Sequence, residues 1–138
     1  MADKKHTILL VEDEATVATV LASALEQSGY SVLIAGDGAA GLKMALEQHP
    51  DVILADIILP VMSGLEMIRE IRKDSWGAKA EIMVLTNVSD NATLEAALSQ
   101  DALYYIVKGD SSMDDIIAKV RLRILAQEKK SAHEKTVT

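Results

Sequence analysis

Apolar residues in this chain fall into short runs of four or five, alternating with longer segments in which they recur every three or four positions. The short runs are the pattern of strands buried on both faces, and the longer segments that of helices with one apolar side. Five such rounds can be read. Thr7–Val11 (TILLV) is predicted as a central parallel strand, and residues 15–28 carry Val17, Val20, Leu21, Ala24 and Leu25 at helical spacing before Gly29. Residues 31–35 (SVLIA) form the second strand. They lead through Gly36-Asp37-Gly38 into a helix over 39–48, with Leu42, Ala45 and Leu46 on one face and Pro50 barring its continuation. Val52–Ala55 is the third strand, followed by a loop through Pro60 and Gly64 and a helix over 65–73. An irregular linker, 74–80, precedes a strand over 81–85. A helix capped by Asp90 and reaching Gln100, a strand over 104–107 and a final helix follow, the last with Met113, Ile116, Ile117, Val120 and Ile124 on its inner face. Residues 1–6 read as an N-terminal extension, 7–126 as the folded domain, and 127–138 as a frayed polar tail.

Strand-helix repeats joined by short loops imply a doubly wound α/β fold, with a parallel sheet and helices on both faces. In such sheets ligands bind beyond the carboxyl ends of the strands. With 138 residues there is one core, large enough to fold without staples, and the absence of cysteine removes disulfides, thiolate metal sites and thiol nucleophiles. A formal charge of −7 argues against direct binding to nucleic acid or to an anionic membrane surface. The N-terminal apolar stretch is too short for a signal or a membrane span, so the cytoplasm is the expected compartment.

The polar residues cluster where ligands should bind. Glu12 and Asp13 follow the first strand, Asp56 the third and Thr86 the fourth, and Lys108 ends the fifth. Each has an ordinary reading by itself: Asp13 or Glu14 as a helix cap, Asp56 in a turn, Thr86 bonded to backbone, Lys108 reaching from a strand end. Together they put three carboxylates on one rim, where neighbours about 4 Å apart repel by roughly 4 kcal/mol. That cluster calls for a cation, and an all-oxygen donor set favours Mg²⁺. A carboxylate beside such an ion is a plausible nucleophile toward a phosphoryl group, with Lys108 and Thr86 neutralising its oxygens.

The segments LLVEDE (9–14), DIILPVMSG (56–64), LTNVSD (85–90) and YYIVKGD (104–110), in this order and spacing, resemble the receiver domains of two-component response regulators. The resemblance runs from about Thr7 to Leu125 and implies a flavodoxin-like fold of five strands in the order 2-1-3-4-5. It makes Asp56 the phosphoacceptor, with Asp13, Asp56 and the backbone carbonyl of Ile58 ligating Mg²⁺ and Glu12 helping through water. Thr86 and Lys108 match the phosphoryl-contacting pair, and Thr86 with Tyr105 the switch. The implied partners are a sensor histidine kinase or histidine phosphotransfer protein as donor, and a downstream protein on the face made by the fourth predicted helix, the fifth strand and the last helix. The chain is then a signalling switch rather than an enzyme, promoting only its own aspartyl phosphorylation and dephosphorylation. A receiver-like interaction module that works without phosphorylation is the alternative. Too few residues follow the last predicted helix for an output domain, which leaves a stand-alone receiver or a piece of a larger regulator. A monomer or a weak homodimer is expected, with Leu94, Ala97 and Tyr105 offering a small apolar patch.

Four positions depart from the family's commonest pattern: Gly109 after the lysine where proline is usual, Asn87 after Thr86, Asp101-Ala102 before the fifth strand, and Leu59 before Pro60. Gly109 loosens the placement of Lys108, and Asn87 either narrows access to the site or bonds the phosphoryl group. Ile58 and Val88, two residues beyond Asp56 and Thr86, are apolar and cannot orient an attacking water, which predicts slow self-dephosphorylation. The string Gly36-x-Gly38-x-x-Gly41 spells a dinucleotide fingerprint, yet it follows the second strand and leaves the other strand-end groups without a task. An aspartate-nucleophile phosphatase would want a second acid where Ile58 stands. The three histidines, His6, His49 and His133, are scattered, and the methionines read as core filling. Trp76 lies in the linker, away from the site.

Overall fold

The computed structural model describes residues 5–86, 104–107 and 112–137 of the chain. Strands β1 (Thr7–Val11), β2 (Ser31–Ala35), β3 (Val52–Ala55), β4 (Ile82–Thr86) and β5 (Tyr104–Val107) pair in parallel in the order β2-β1-β3-β4-β5. The helices among the described residues are α1 (Ala15–Gln27), α2 (Gly38–Gln48), α3 (Gly64–Lys73) and α4 (Met113–Val137), with a 3₁₀ turn at Gly77–Lys79. The predicted helix over 90–100 lies outside the described residues.

Side chains alternate across a strand, so the apolar runs of β1 and β3 feed two cores at once. Leu9, Val11, Ile53 and Ala55 meet Ala45 of α2 and Met67, Ile68 and Ile71 of α3 on one face. Ile8, Leu10, Val52 and Leu54 meet Leu21 and Leu25 of α1 and Ile116, Val120 and Ile124 of α4 on the other. Helices therefore cover both faces of a parallel sheet, the doubly wound arrangement.

Helical spacing misplaced two residues. Val20 is 52 % exposed and Leu46 is 36 % exposed. On α2 the buried positions are Gly38, Gly41 and Ala45. A Cβ on Gly41 would lie 2.8 Å from Met67 Sδ and 2.9 Å from Val11 Cγ2, so α2 presses on β1 and α3 through its smallest residues and turns Leu46 to the rim.

The C-terminal segment also differs from expectation. The helix continues to Val137 rather than giving way to a tail after residue 126. Two side chains anchor the part beyond residue 126 where it begins: Gln127 Nε2 donates to the Asp51 carbonyl at 2.9 Å, and Glu128 Oε1 lies 2.6 Å from His6 Nε2. His6 Nδ1 is 3.6 Å from Asp51 Oδ2, which also accepts the Thr7 N–H at 2.7 Å. His6, assigned by sequence to the N-terminal extension, thus ties α4 to the start of β3. Deeper in, Arg123 Nε donates to Glu81 Oε1 at 2.7 Å, and Glu81 is 4 % exposed.

The linker over 74–80 proves ordered by local chemistry. Asp74 Oδ2 accepts the N–H groups of Trp76 and Gly77 at 2.9 and 3.1 Å. Arg72 Nη1 donates to the carbonyls of Gly77 and Ala80 at 2.8 and 2.7 Å. The Trp76 ring stacks on His49, with centroids 4.4 Å apart and planes 7° from parallel. Among the described residues no helix is long and apolar enough to cross a membrane.

Candidate functional site

Register across the sheet aligns Val11 with Ala35 and Ala55, Ala55 with Val84, and Val84 with Tyr105. The next residues are where the chain leaves β1 and β3. Glu12 still donates its N–H to the Ala35 carbonyl at 3.0 Å, and Asp56 donates its N–H to the Val11 carbonyl at 3.1 Å. Both carboxylates are therefore fixed to the sheet by backbone bonds rather than carried on free loops. Glu12 is 3 % exposed, Asp56 is half-buried and Asp13 is exposed. One carboxylate oxygen from each of Glu12, Asp13 and Asp56 lies within 4.8 Å of the others.

The ordinary readings of these acids fare unevenly. Glu14 occupies the N-cap of α1 but its side chain makes no capping bond, so the acidic pair before it is not explained by helix capping. The turn reading of Asp56 is correct for one oxygen: Oδ1 accepts the N–H groups of Ile57 and Ile58 at 2.7 and 3.3 Å. Those bonds orient the carboxylate. Ile58, 67 % exposed, stands with its backbone against that carboxylate and its side chain toward solvent.

A group that sequence reasoning passed over sets the height of the Asp56 loop. Gly64 donates its N–H to the Ile57 carbonyl at 2.7 Å and begins α3, which Ser63 caps by accepting the Glu66 N–H at 3.2 Å. A Cβ on Gly64 would run into the Asp56 carbonyl oxygen and would lie 2.8 Å from Ile57 Cα. Only glycine lets the helix start this close to Asp56. The Ser-Gly pair was a visible signal of a capped start, but not of the contact beneath it. Between them, Met62 donates to the Pro60 carbonyl at 2.7 Å around Val61, whose φ is 68°, a γ-turn of the strained sense.

Thr86 ends β4 opposite Val107, and Tyr105 lies on β5 opposite Val84. Lys108, Asn87, Val88, Asp101-Ala102, Gly109, Leu94 and Ala97 lie outside the described residues. Leu59 is buried against the α2–α3 core, in keeping with a near volume-conserving change. The glycine string 36–41 is not a nucleotide cradle: Cβ atoms on Gly38 and Gly41 would strike Met62 and Val11, protein rather than an open approach. His6 and His49 lie in the contacts described above, and neither belongs to the cluster of Glu12, Asp13 and Asp56.

Oxygen-only donors on a hard, compact triad, one of them deeply buried, fit a small divalent cation such as Mg²⁺. A family model for the response regulator receiver domain matches residues 8–121. Response regulator ArlR of Staphylococcus saprophyticus is 36 % identical over 124 residues, covering 90 % of this chain and 54 % of its own. The chain spans about half the length of the curated relatives it matches. Among solved structures, a CheY-like receiver domain protein of Methanospirillum hungatei superposes with TM-score 0.85 at 26 % identity, covering 92 % of this chain and 99 % of that one. The receiver domain of the sensor histidine kinase PA1611 of Pseudomonas aeruginosa, solved with magnesium in its active site cleft, superposes with TM-score 0.81 at 30 % identity, covering 88 % and 98 %.

Proposed function

Because this chain belongs to the response regulator receiver family of two-component signalling, we propose that it is a switch set by phosphorylation of Asp56. The convergence of Glu12, Asp13 and Asp56 within 4.8 Å at the carboxyl ends of β1 and β3 is the observation that carries this reading. An Asp56 carboxylate oxygen attacks the phosphorus of a phosphohistidine donor or a small acyl phosphate. A P–O bond to Asp56 forms as the bond to the donor breaks, leaving an acyl phosphate on the protein.

Asp13 and Asp56, with the Ile58 carbonyl and Glu12 through water, would hold Mg²⁺. When bound, the ion supplies positive charge against the phosphoryl oxygens, which is most of what this loose transition state asks of a protein. The N–H groups of Ile57 and Ile58 hold the Asp56 carboxylate in one orientation. Lys108 supplies the second positive charge and the Thr86 hydroxyl a hydrogen bond. Movement of Thr86 with Tyr105 then alters the downstream-binding face. The donor is a sensor histidine kinase or histidine phosphotransfer protein, and the cytoplasm is the compartment that supplies it. The chemistry is stoichiometric on the chain itself, so the protein is a switch and not an enzyme acting on a separate substrate.

Intact mass after incubation with acetyl phosphate tests this directly. A single phosphoryl adduct that needs both Mg²⁺ and Asp56, absent from Asp56→Asn, is the expected result. A folded chain that binds Mg²⁺ and takes no adduct would overturn it in favour of a docking module independent of phosphorylation.

A further inference from the structure

Among the described residues no strand pairs with the outer edge of β2. Ser31 donates its N–H to the His6 carbonyl, and Ala35 accepts from the Glu12 N–H, so the odd-numbered residues of β2 turn their backbone groups to β1. In a parallel ladder alternate residues face opposite sides. Val32 and Ile34 therefore point both N–H and C=O away from the sheet, and β2 is the terminal strand in the sheet order. Edges of this kind are usually blunted by lysine, proline or a bulge. Here the strand is Ser-Val-Leu-Ile-Ala, without charge or proline, in a chain of net charge −7, and Ile34 is 44 % exposed. A shallow groove flanks it on each face. One is lined by Thr19, Ser23 and Glu26 of α1 beside Ile34, and the other by Ala40, Lys43 and Glu47 of α2 beside Leu33.

We infer that this edge joins two copies of the chain, β2 pairing antiparallel with β2 about a two-fold axis at Leu33. The pattern is self-complementary. The two outward residues sit one on each side of Leu33, so Val32 of one copy meets Ile34 of the other, and each such pair exchanges two backbone hydrogen bonds. Val32 and Ile34 then form β-branched cross-strand pairs on the α1 face, and Leu33 meets its own copy on the α2 face. The same axis turns the two α2 helices antiparallel, bringing the Lys43 end of one toward the Glu47 end of the other. A strand from an unrelated charged segment would match neither the apolar edge nor this pairing. Because the strands run in opposite directions, the two Asp56 sites face away from each other, and the pairing does not depend on phosphorylation.

Sedimentation equilibrium over a wide concentration range tests the inference, with amide exchange of Val32 and Ile34 followed on the same samples. The wild type should move from 14.9 kDa toward twice that mass, with slower exchange at those two amides as it does. Val32→Pro removes an outward donor without touching a bond to β1, and Ile34→Lys puts a charge in the joint. Each should remain a single chain with unchanged circular dichroism, whereas Leu122→Glu on the exposed side of α4 should still pair. If Val32→Pro unfolds, Ile34→Lys and the exchange data decide. A wild type that stays at one-chain mass throughout, a pair that survives Ile34→Lys, or a pair lost in Leu122→Glu would overturn the assignment.

Discussion

Gly64→Ala should damage the proposed phosphoryl site more than it damages the fold. The added Cβ runs into the Asp56 carbonyl and lies 2.8 Å from Ile57 Cα, where 3.4 Å is the start of ordinary contact, so the loop or the helix must yield by about 0.6 Å there, and by more at the carbonyl. Both atoms are backbone, and the loop is already held by the Gly64 to Ile57 bond, so no flexible side chain absorbs the shift. Overpacking of this kind costs about 1–3 kcal/mol of stability. Displacing a nucleophile by nearly an ångström costs roughly 100-fold in rate. The assay is the initial rate of adduct formation with acetyl phosphate by intact mass, with a urea melt on the same sample. Gly36→Ala is the matched control at the neighbouring strand end, because a Cβ there meets nothing within 4 Å. Gly64→Ala modified at the wild-type rate, or a Gly36→Ala as slow as Gly64→Ala, would refute the claim that this contact sets the position of Asp56.

Three further outcomes follow from side-chain contacts. Arg123→Met strands the Glu81 carboxylate, 4 % exposed, and should cost about 3 kcal/mol, roughly 10 °C in melting temperature, with much of the loss recovered when Glu81→Met is added. Ile58→Asn places a polar group able to orient water beside Asp56, and should shorten the lifetime of the phosphorylated form severalfold by mass spectrometry; unchanged decay would remove Ile58 from the account of slow hydrolysis. Hydrogen bonds from the Ser112 backbone and then its hydroxyl, with a smaller contribution from Lys119, hold the Asp115 carboxyl below its ordinary 3.8. The first turn of α4 should therefore keep its full protection at neutral pH and lose it as the pH falls below 3.8 toward the lowered value, a dependence that amide exchange should no longer show in Asp115→Asn and should show only weakened in Ser112→Ala, which keeps the backbone donor.

The strands were legible because β1, β3 and β4 are buried on both faces and so carry apolar runs that a helix of this length would not. The acidic site was legible because its residues follow those runs directly. Helix faces were read less well. The inner side of α2 is glycine and alanine, and periodicity weights large apolar residues, so Leu46 was assigned inward when close packing had claimed that place for Gly41. The end of α4 was missed for a different reason: it depends on His6 and Asp51, more than 70 positions away in sequence from the Glu128 and Gln127 they engage. A polar segment of good helix formers such as EKKSAHEK becomes ordered when a distant contact fixes its first turn.

The linker over 74–80 looks, by composition, like the place where a protease would open the domain. Cleavage needs several consecutive residues pulled out extended, and here that means breaking the Arg72 bonds to two carbonyls, the Asp74 bonds to two amides and the Trp76 stack together. Limited digestion should spare this segment until the whole domain opens, so the cutting rate there gauges global unfolding rather than loop motion.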